Sequence, residues 1–268
     1  YLQEDARSMM YSINFDANFG NLYIQNVGRP TGMMVGYVFD GLYQLDDFYN
    51  PAPNVYVLKE GIPINNASNA VAPGYIKYRD LNGDNIINSN DMAIIGRGQP
   101  KHFGGFANTF TYKGFTLYAL LSWVYGNNIY NANRHTFDGN SNMRGFINQF
   151  KSYENRWTME NQNTDLQVLN RVTYGKTGMY QSQFVEDGSY LRLRTVNLDY
   201  ALPAKWIKKV SLTNASLYFS GQNLLTWTNY SGLDPQVSVS GNQVLGPGFD
   251  YSAYPAARTY TFGIRATF

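Results

Sequence analysis

An all-β fold of antiparallel strands follows from three features of the 268-residue sequence. Strand-like segments recur between clusters of Gly, Asn, Asp and Pro, with a single helical period among them. The segment from Phe115 to Tyr125 alternates between two faces, and so does the closing segment from Tyr260 to Phe268.

The central segment carries Phe115, Leu117, Ala119, Leu121, Trp123 and Tyr125 on one face and Thr116, Tyr118, Leu120, Ser122 and Val124 on the other. One face is uniformly apolar and the other mixed, the dyad of a strand with lipid on one side and lumen on the other. Phe103 to Tyr112 precedes it across the short turn Lys113-Gly114, which predicts a hairpin. Tyr190 to Tyr200 follows the turn Asp187-Gly188 and stops before Pro203, which has no N–H to give a ladder. Ala215 to Gln222 sets Leu217, Phe219 and Gly221 against Ser216, Tyr218 and Ser220. At the C-terminus Tyr260, Phe262, Ile264, Ala266 and Phe268 share one face, and the strand is expected to run to the last residue. That is the behaviour of a barrel strand that must stay paired to its end, because an open sheet edge is not tolerated in hydrocarbon.

Composition agrees with a barrel. The longest apolar stretch, Leu117 to Tyr125, is broken by Ser122 and falls far short of the roughly 20 residues of a spanning helix, whereas a barrel strand needs about 9–11. Aromatic residues make up 16% of the chain, with 23 Tyr, a side chain whose apolar body and polar tip suit a membrane boundary. Lys and Arg (21) nearly balance Asp and Glu (19) and are scattered, so there is no basic footprint for nucleic acid. Cysteine is absent, which excludes disulfides, thiolate catalysis and Cys-based zinc sites within this segment. The chain begins at Tyr1 with no Met and no leader-like sequence, so an upstream segment is expected.

Asn127 to Asn142 and Ser231 to Ser252 are long Asn/Gly/Ser-rich stretches, expected as extracellular loops opposite short periplasmic turns. Met143, Phe146, Ile147 and Phe150 follow helical spacing after Asn142, predicting a short loop helix over about 142–154.

A family resemblance runs through most of the chain. Gly28-Arg29-Pro30-Thr31-Gly32, Gly36-Tyr37 and Asp40-Gly41-Leu42-Tyr43-Gln44 come first, then Pro73-Gly74-Tyr75 through Asp84, Ile95-Gly96 and Pro100-Lys101. Asn155-Arg156-Trp157-Thr158 and Phe184-Val185-Glu186-Asp187-Gly188-Ser189-Tyr190 follow. Gln222-Asn223-Leu224, Gly232-Leu233-Asp234-Pro235, Tyr254-Pro255 and Arg258-Thr259-Tyr260 complete the order. In this sequence of motifs the chain resembles the C-terminal portion of SusC/RagA-type TonB-dependent outer-membrane transporters of Bacteroidetes. It departs at Asp165-Leu166-Gln167, where the family pattern has a Pro-Arg pair, and this puts the local loop path in question.

The resemblance implies a barrel of about 22 strands, with the plug and the TonB-contacting region outside this chain. It also implies a bacterial outer-membrane location, a SusD-like lipoprotein lid and import of a glycan or oligopeptide nutrient. A chain of this length has room for roughly 8–11 strands, too few to close so wide a barrel, so the remaining strands and plug are expected as partners. The alternative from composition is a secreted, calcium-stabilised carbohydrate-binding β-sandwich.

One motif suggests a cofactor. Asp80-Leu-Asn82-Gly-Asp84-Asn-Ile86-Ile-Asn-Ser-Asn-Asp91 has the spacing of a calcium loop. Asp80, Asn82 and Asp84 offer side-chain oxygens, Ile86 its carbonyl, and Asp91 the closing carboxylate. The same residues also suit an Asx-rich turn without metal. The loop aromatics Tyr130, Phe137, Phe249 and Tyr251 could stack on substrate or pack loops together. No catalytic constellation emerges, so an enzyme is not expected. His102 and His135 have no partner spacing, His135 reads as part of a polar loop, and Asp46-Asp47 and Glu186-Asp187 read as turn residues.

Overall fold

The protein is described from a computed structural model covering residues 9–11, 22–26, 28–67, 71–138, 148–168, 179–207, 212–236 and 246–268. In chain order the strands are β1 (Met9–Tyr11), β2 (Tyr23–Gln25), β3 (Met33–Tyr37), β4 (Phe39–Leu42), β5 (Phe48–Ala52), β6 (Val55–Leu58), β7 (Ile64–Asn65), β8 (Ile76–Tyr78), β9 (Ile86–Ile87) and β10 (Met92–Arg97). There follow β11 (His102–Tyr112), β12 (Phe115–Tyr125), β13 (Asn128–Asn131), helix α1 (Ala132–Phe137), β14 (Val185–Asp187), β15 (Tyr190–Ala201), helix α2 (Ala204–Ile207), β16 (Asn214–Thr228), β17 (Phe249–Asp250) and β18 (Thr259–Thr267). The chain divides into two compact units.

The first unit takes its described residues from Tyr1–Gln99, Asn128–Glu186 and Val237–Ala253. It contains a four-stranded sheet in the order β1-β2-β3-β10 and several two-stranded ladders, β4-β8, β5-β6 and β7-β9. Two aromatic-rich clusters form most of its core. Leu22, Tyr23, Met34, Tyr130, Tyr180 and Phe184 pack with Phe249 in one, and Tyr37, Leu42, Ile76, Tyr78, Ile87 and Trp157 form the other. Gly36 is where the backbone needs a missing side chain: a Cβ there would lie 2.4 Å from the Tyr180 carbonyl oxygen, and the Tyr37 N–H donates to that same oxygen at 2.9 Å. The questioned path beyond Trp157 is settled by backbone bonds. Trp157 N–H donates to Leu166 O at 2.7 Å, and Val168 N–H to Gly74 O at 2.9 Å.

The second unit comprises Pro100–Asn127, Asp187–Gln236 and Tyr254–Phe268. It is one antiparallel sheet in the order β11-β12-β15-β16-β18. The expected hairpin forms in full register from His102↔Tyr125 to Tyr112↔Phe115, turning on Lys113 (φ 45°) and Gly114 (φ 85°). Both central residues at positive φ mark a turn whose twist matches that of the strands. Among the described residues these five strands, of 9 to 15 residues, are long enough to span hydrocarbon. The chain has room for roughly 8–11 such strands, and among the described residues these five reach that length. β16 continues six residues beyond Gln222, to Thr228, and β18 ends at Thr267, one residue short of Phe268.

The loop helix expected over 142–154 lies partly outside the described residues. Of its later part, Lys151–Asn155 is a 3₁₀ turn with Tyr153 buried. A helix does form earlier, at α1, where the Asn131 side chain accepts from the Arg134 N–H at 3.1 Å and caps it.

Candidate functional site

The sheet of the second unit has two chemically different faces, and register shows which residues share each. Across its strands Phe106, Leu121 and Leu193 align, as do Phe110, Leu117 and Leu198, and Leu217 aligns with Ile264. Aromatic residues gather at both ends of this apolar face. Tyr112, Phe115 and Tyr200 lie by the short turns, with Phe115 and Tyr200 stacked at 4.3 Å, and Trp123, Tyr125 and Trp227 lie by the long connections. The opposite face is hydrogen-bonded and charged. Ser220 Oγ donates to Asn197 Oδ1 at 2.7 Å, Arg265 Nη1 donates to Asp199 Oδ1 at 2.9 Å, and the Arg265 guanidinium sits 4.4 Å from the Tyr218 ring centre.

One irregularity preserves the division. β15 inserts one extra residue, Arg194, opposite the Leu120–Leu121 step of β12. Leu191 and Leu193 therefore share the apolar face with Val196, Leu198 and Tyr200, which strict alternation would have sent to the other side.

The terminal-strand residues lie where the alternation places them. Tyr260, Phe262 and Ile264 register with Gly221, Phe219 and Leu217, and the Phe219 and Phe262 rings are 4.9 Å apart. Phe262 is 77% and Ile264 72% exposed, which no β-sandwich would leave on its inner face. Phe268, equally bare, lies just beyond the ladder.

Sequence reasoning missed a buried ion pair in this unit. Arg192 and Asp234 are 3% and 5% exposed and 2.5 Å apart. Arg192 also donates to Thr226 Oγ1 at 3.0 Å and Gln236 Oε1 at 2.9 Å, and Asp234 accepts from the Gln236 and Ala256 N–H groups. Burial works against the Asp234 charge, but the Arg192 hydrogen bond and those two N–H groups outweigh it and hold the carboxyl below its usual range. The signal available in the sequence was an Arg in a strand together with the Asp-Pro step at Asp234.

In the first unit the loop from Asp80 to Asp91 closes on its own hydrogen bonds. Asp80 accepts from Gly83 and Asn85 N–H, both at 2.7 Å, and Asp84 Oδ1 from Ile86 N–H at 2.8 Å, while Asn82 Oδ1 accepts from Asp84 N–H at 2.9 Å. Asn85 takes positive φ (61°) at the sharp turn. Asp91 is fully buried, and its two oxygens accept from Leu81 N–H at 3.0 Å and Asn88 N–H at 2.9 Å. Asp91 thereby staples the two ends of the loop. Among the described residues no group of three or more His, Asp or Glu side chains is arranged to hold a metal ion. Asp91→Ala, leaving buried N–H groups unmet, is expected to destabilise the first unit by about 1–3 kcal/mol. Thermal melts of the full-length polypeptide read that loss, and repeating them in calcium and in chelator tests the metal reading: a wild-type midpoint raised by calcium supports it, and equal midpoints remove it.

The four loop aromatics separate. Tyr130 and Phe249 have no exposed surface and register together in β13 and β17, with parallel rings 5.9 Å apart. This corrects their assignment to substrate: a ring buried in a part of a protein stays buried in the whole. Phe137 packs on Phe150 at 5.2 Å, and Tyr251 lies against the core cluster of Tyr130. Isoleucine 86 (Ile86) sits in β9, paired with Ile64. His135 is corrected from polar loop to core. It is 2% exposed on α1, stacks on Phe184 at 4.7 Å and shares a 2.8 Å hydrogen bond with the Tyr130 hydroxyl, and burial pushes its pKa down to about 3.

No protein-family model matches the chain. Curated relatives do. The chain is 34% identical to TonB-dependent receptor P26 of Formosa agariphila over 200 residues, 73% of this chain. It is 32% identical to TonB-dependent receptor P3 of the same organism over 249 residues, 90% of the chain. This chain belongs to the TonB-dependent receptors. It spans 20% and 22% of the length of those two relatives. Among solved structures, the fold is that of the RagAB peptide importer in its open-open state and of the RagAB peptide transporter. The TM-scores are 0.64 and 0.65 at 20% and 21% identity, over 98% of this chain and 24% of each of those chains. The two-faced sheet is thus a segment of a TonB-dependent receptor.

Proposed function

We propose that the five-stranded sheet forms part of the lipid-facing wall of an outer-membrane barrel. In this reading the intact polypeptide imports a nutrient, a glycan or an oligopeptide, by a TonB-dependent route with a SusD-like lipoprotein as lid. The observation that carries the reading is the division of the sheet. An apolar face bounded at both ends by aromatic side chains backs onto a face of paired charges and hydroxyls, the arrangement hydrocarbon and lumen select. The kinship to TonB-dependent receptors supports energy coupling through TonB, and the likeness to a peptide importer supports transport as the activity.

The test uses the full-length polypeptide in its natural host. It is expected in the outer-membrane fraction, released only by detergent, and uptake of its nutrient should collapse when TonB is deleted. Recovery from the aqueous fraction without detergent would favour the secreted binding module instead.

A further inference from the structure

We propose that the long-connection end of this sheet carries a slot for one acyl chain of a membrane amphiphile with an uncharged, hydroxyl-bearing headgroup; the slot rests on the membrane-facing reading of the sheet. Trp123, Leu191 and Trp227 stand in one row across three neighbouring strands, because Leu191 registers with both indoles. Strands lie about 4.8 Å apart, so the two tryptophans are rooted roughly 10 Å apart with only a leucine between them. The difference in side-chain size leaves an open cleft of about 470 Å³, within the range of small-ligand sites.

The Trp123 wall is held away from this floor. Its Nε1 donates to His102 Nδ1 at 3.3 Å, and His102 stacks on Tyr125 at 5.0 Å. Its six-membered ring lies over Gly104 on β11, the strand on the far side from Leu191, where a Cβ would come within 2.5 Å of Trp123 Cζ2. An aromatic residue that merely marks a membrane boundary needs neither the hydrogen bond nor the bare glycine. Here both fix the indole before any ligand arrives, which lowers the ordering cost of binding.

The occupant follows from what surrounds the slot. Leu193 and Leu225 continue the floor toward the middle of the apolar face, so a chain seated between the indoles can run on along the sheet. The other end of the cleft is polar, with Asp187, Ser189 and Asn229, and among the described residues no Lys or Arg lines it. An anionic phosphate would meet a carboxylate and no counter-charge, whereas sugar hydroxyls can donate to Asp187 and bond the Asn229 amide.

The experiment uses the full-length receptor purified from outer membranes. Native mass spectrometry counts retained monoglucosyl diacylglycerol against phosphatidylglycerol of the same chain length. The wild type should hold one glucosyl lipid with about tenfold preference over phosphatidylglycerol, and Leu191→Trp, which fills the slot while keeping the face apolar, should lose it about tenfold. Leu191→Ala should keep it. Equal retention by Leu191→Trp, equal retention of phosphatidylglycerol, or equal binding of free maltoheptaose, which has no acyl chain, would overturn the proposal. If neither wild type nor variant enters the membrane, the import reading falls and takes the slot with it; if both enter and hold lipid alike, the slot alone falls.

Discussion

Leu121→Arg in the full-length receptor is expected to cost about 2–4 kcal/mol of barrel stability, the penalty for a cation near the bilayer midplane. Leu121 sits near the middle of β12, registered with Phe106 on one side and Leu193 on the other, so an arginine there has apolar neighbours and no polar group within its row. The matched control is one residue away. Leu120 has the same side chain at the same depth but faces the other way, registered with Ala107 and Thr195. Leu120→Arg should cost clearly less, because a lumen-facing guanidinium keeps water or polar partners. Urea unfolding of the two variants in lipid vesicles, with the yield of folded protein in the outer membrane, reads the difference. Equal losses at the two positions would remove the lipid from the apolar face.

Asp234→Ala should destabilise the receptor by about 3–5 kcal/mol, since it strands the Arg192 guanidinium in a buried site. Much of that is the cost of an unmatched charge and not the worth of the pair, so the double variant Arg192→Met/Asp234→Leu should recover a large part of it. The Gln236 and Ala256 N–H groups also lose their acceptor, loosening the connection between β16 and β18. The sign of the pH dependence follows from the lowered carboxyl. The folded-state pKa lies below the unfolded one, so the contribution is complete above the usual carboxylate range and is lost as pH falls through the folded value. Unfolding midpoints of wild type and of the double variant should converge as pH is lowered. Parallel curves down to strong acid would mean that Asp234 carries no such stabilisation.

Local chemistry made the long strands legible. Phe115 to Tyr125 was bounded correctly because side-chain alternation and the Lys113-Gly114 turn act within a few residues, and the same holds for the face shared by Tyr260, Phe262 and Ile264. The calcium-like spacing was equally visible, but spacing cannot say where a carboxylate points. Asp91 turned out to bond the N–H groups of Leu81 and Asn88. Tyr130, Phe249 and His135 were misplaced for a related reason. Their surroundings in sequence are polar, while their neighbours in space, among them Tyr180 and Phe184, are distant along the chain.

The sequence by itself thus determined the alternating strands, their turns and the family to which they belong, all of which depend on residues close together in the chain. Tertiary structure alone decided which residues meet across strands: the pairing of Arg192 with Asp234, the bulge at Arg194 that keeps one face apolar, and the leucine floor between Trp123 and Trp227. Register is set by the whole sheet, and a shift of one residue would have turned each of those side chains to the opposite face.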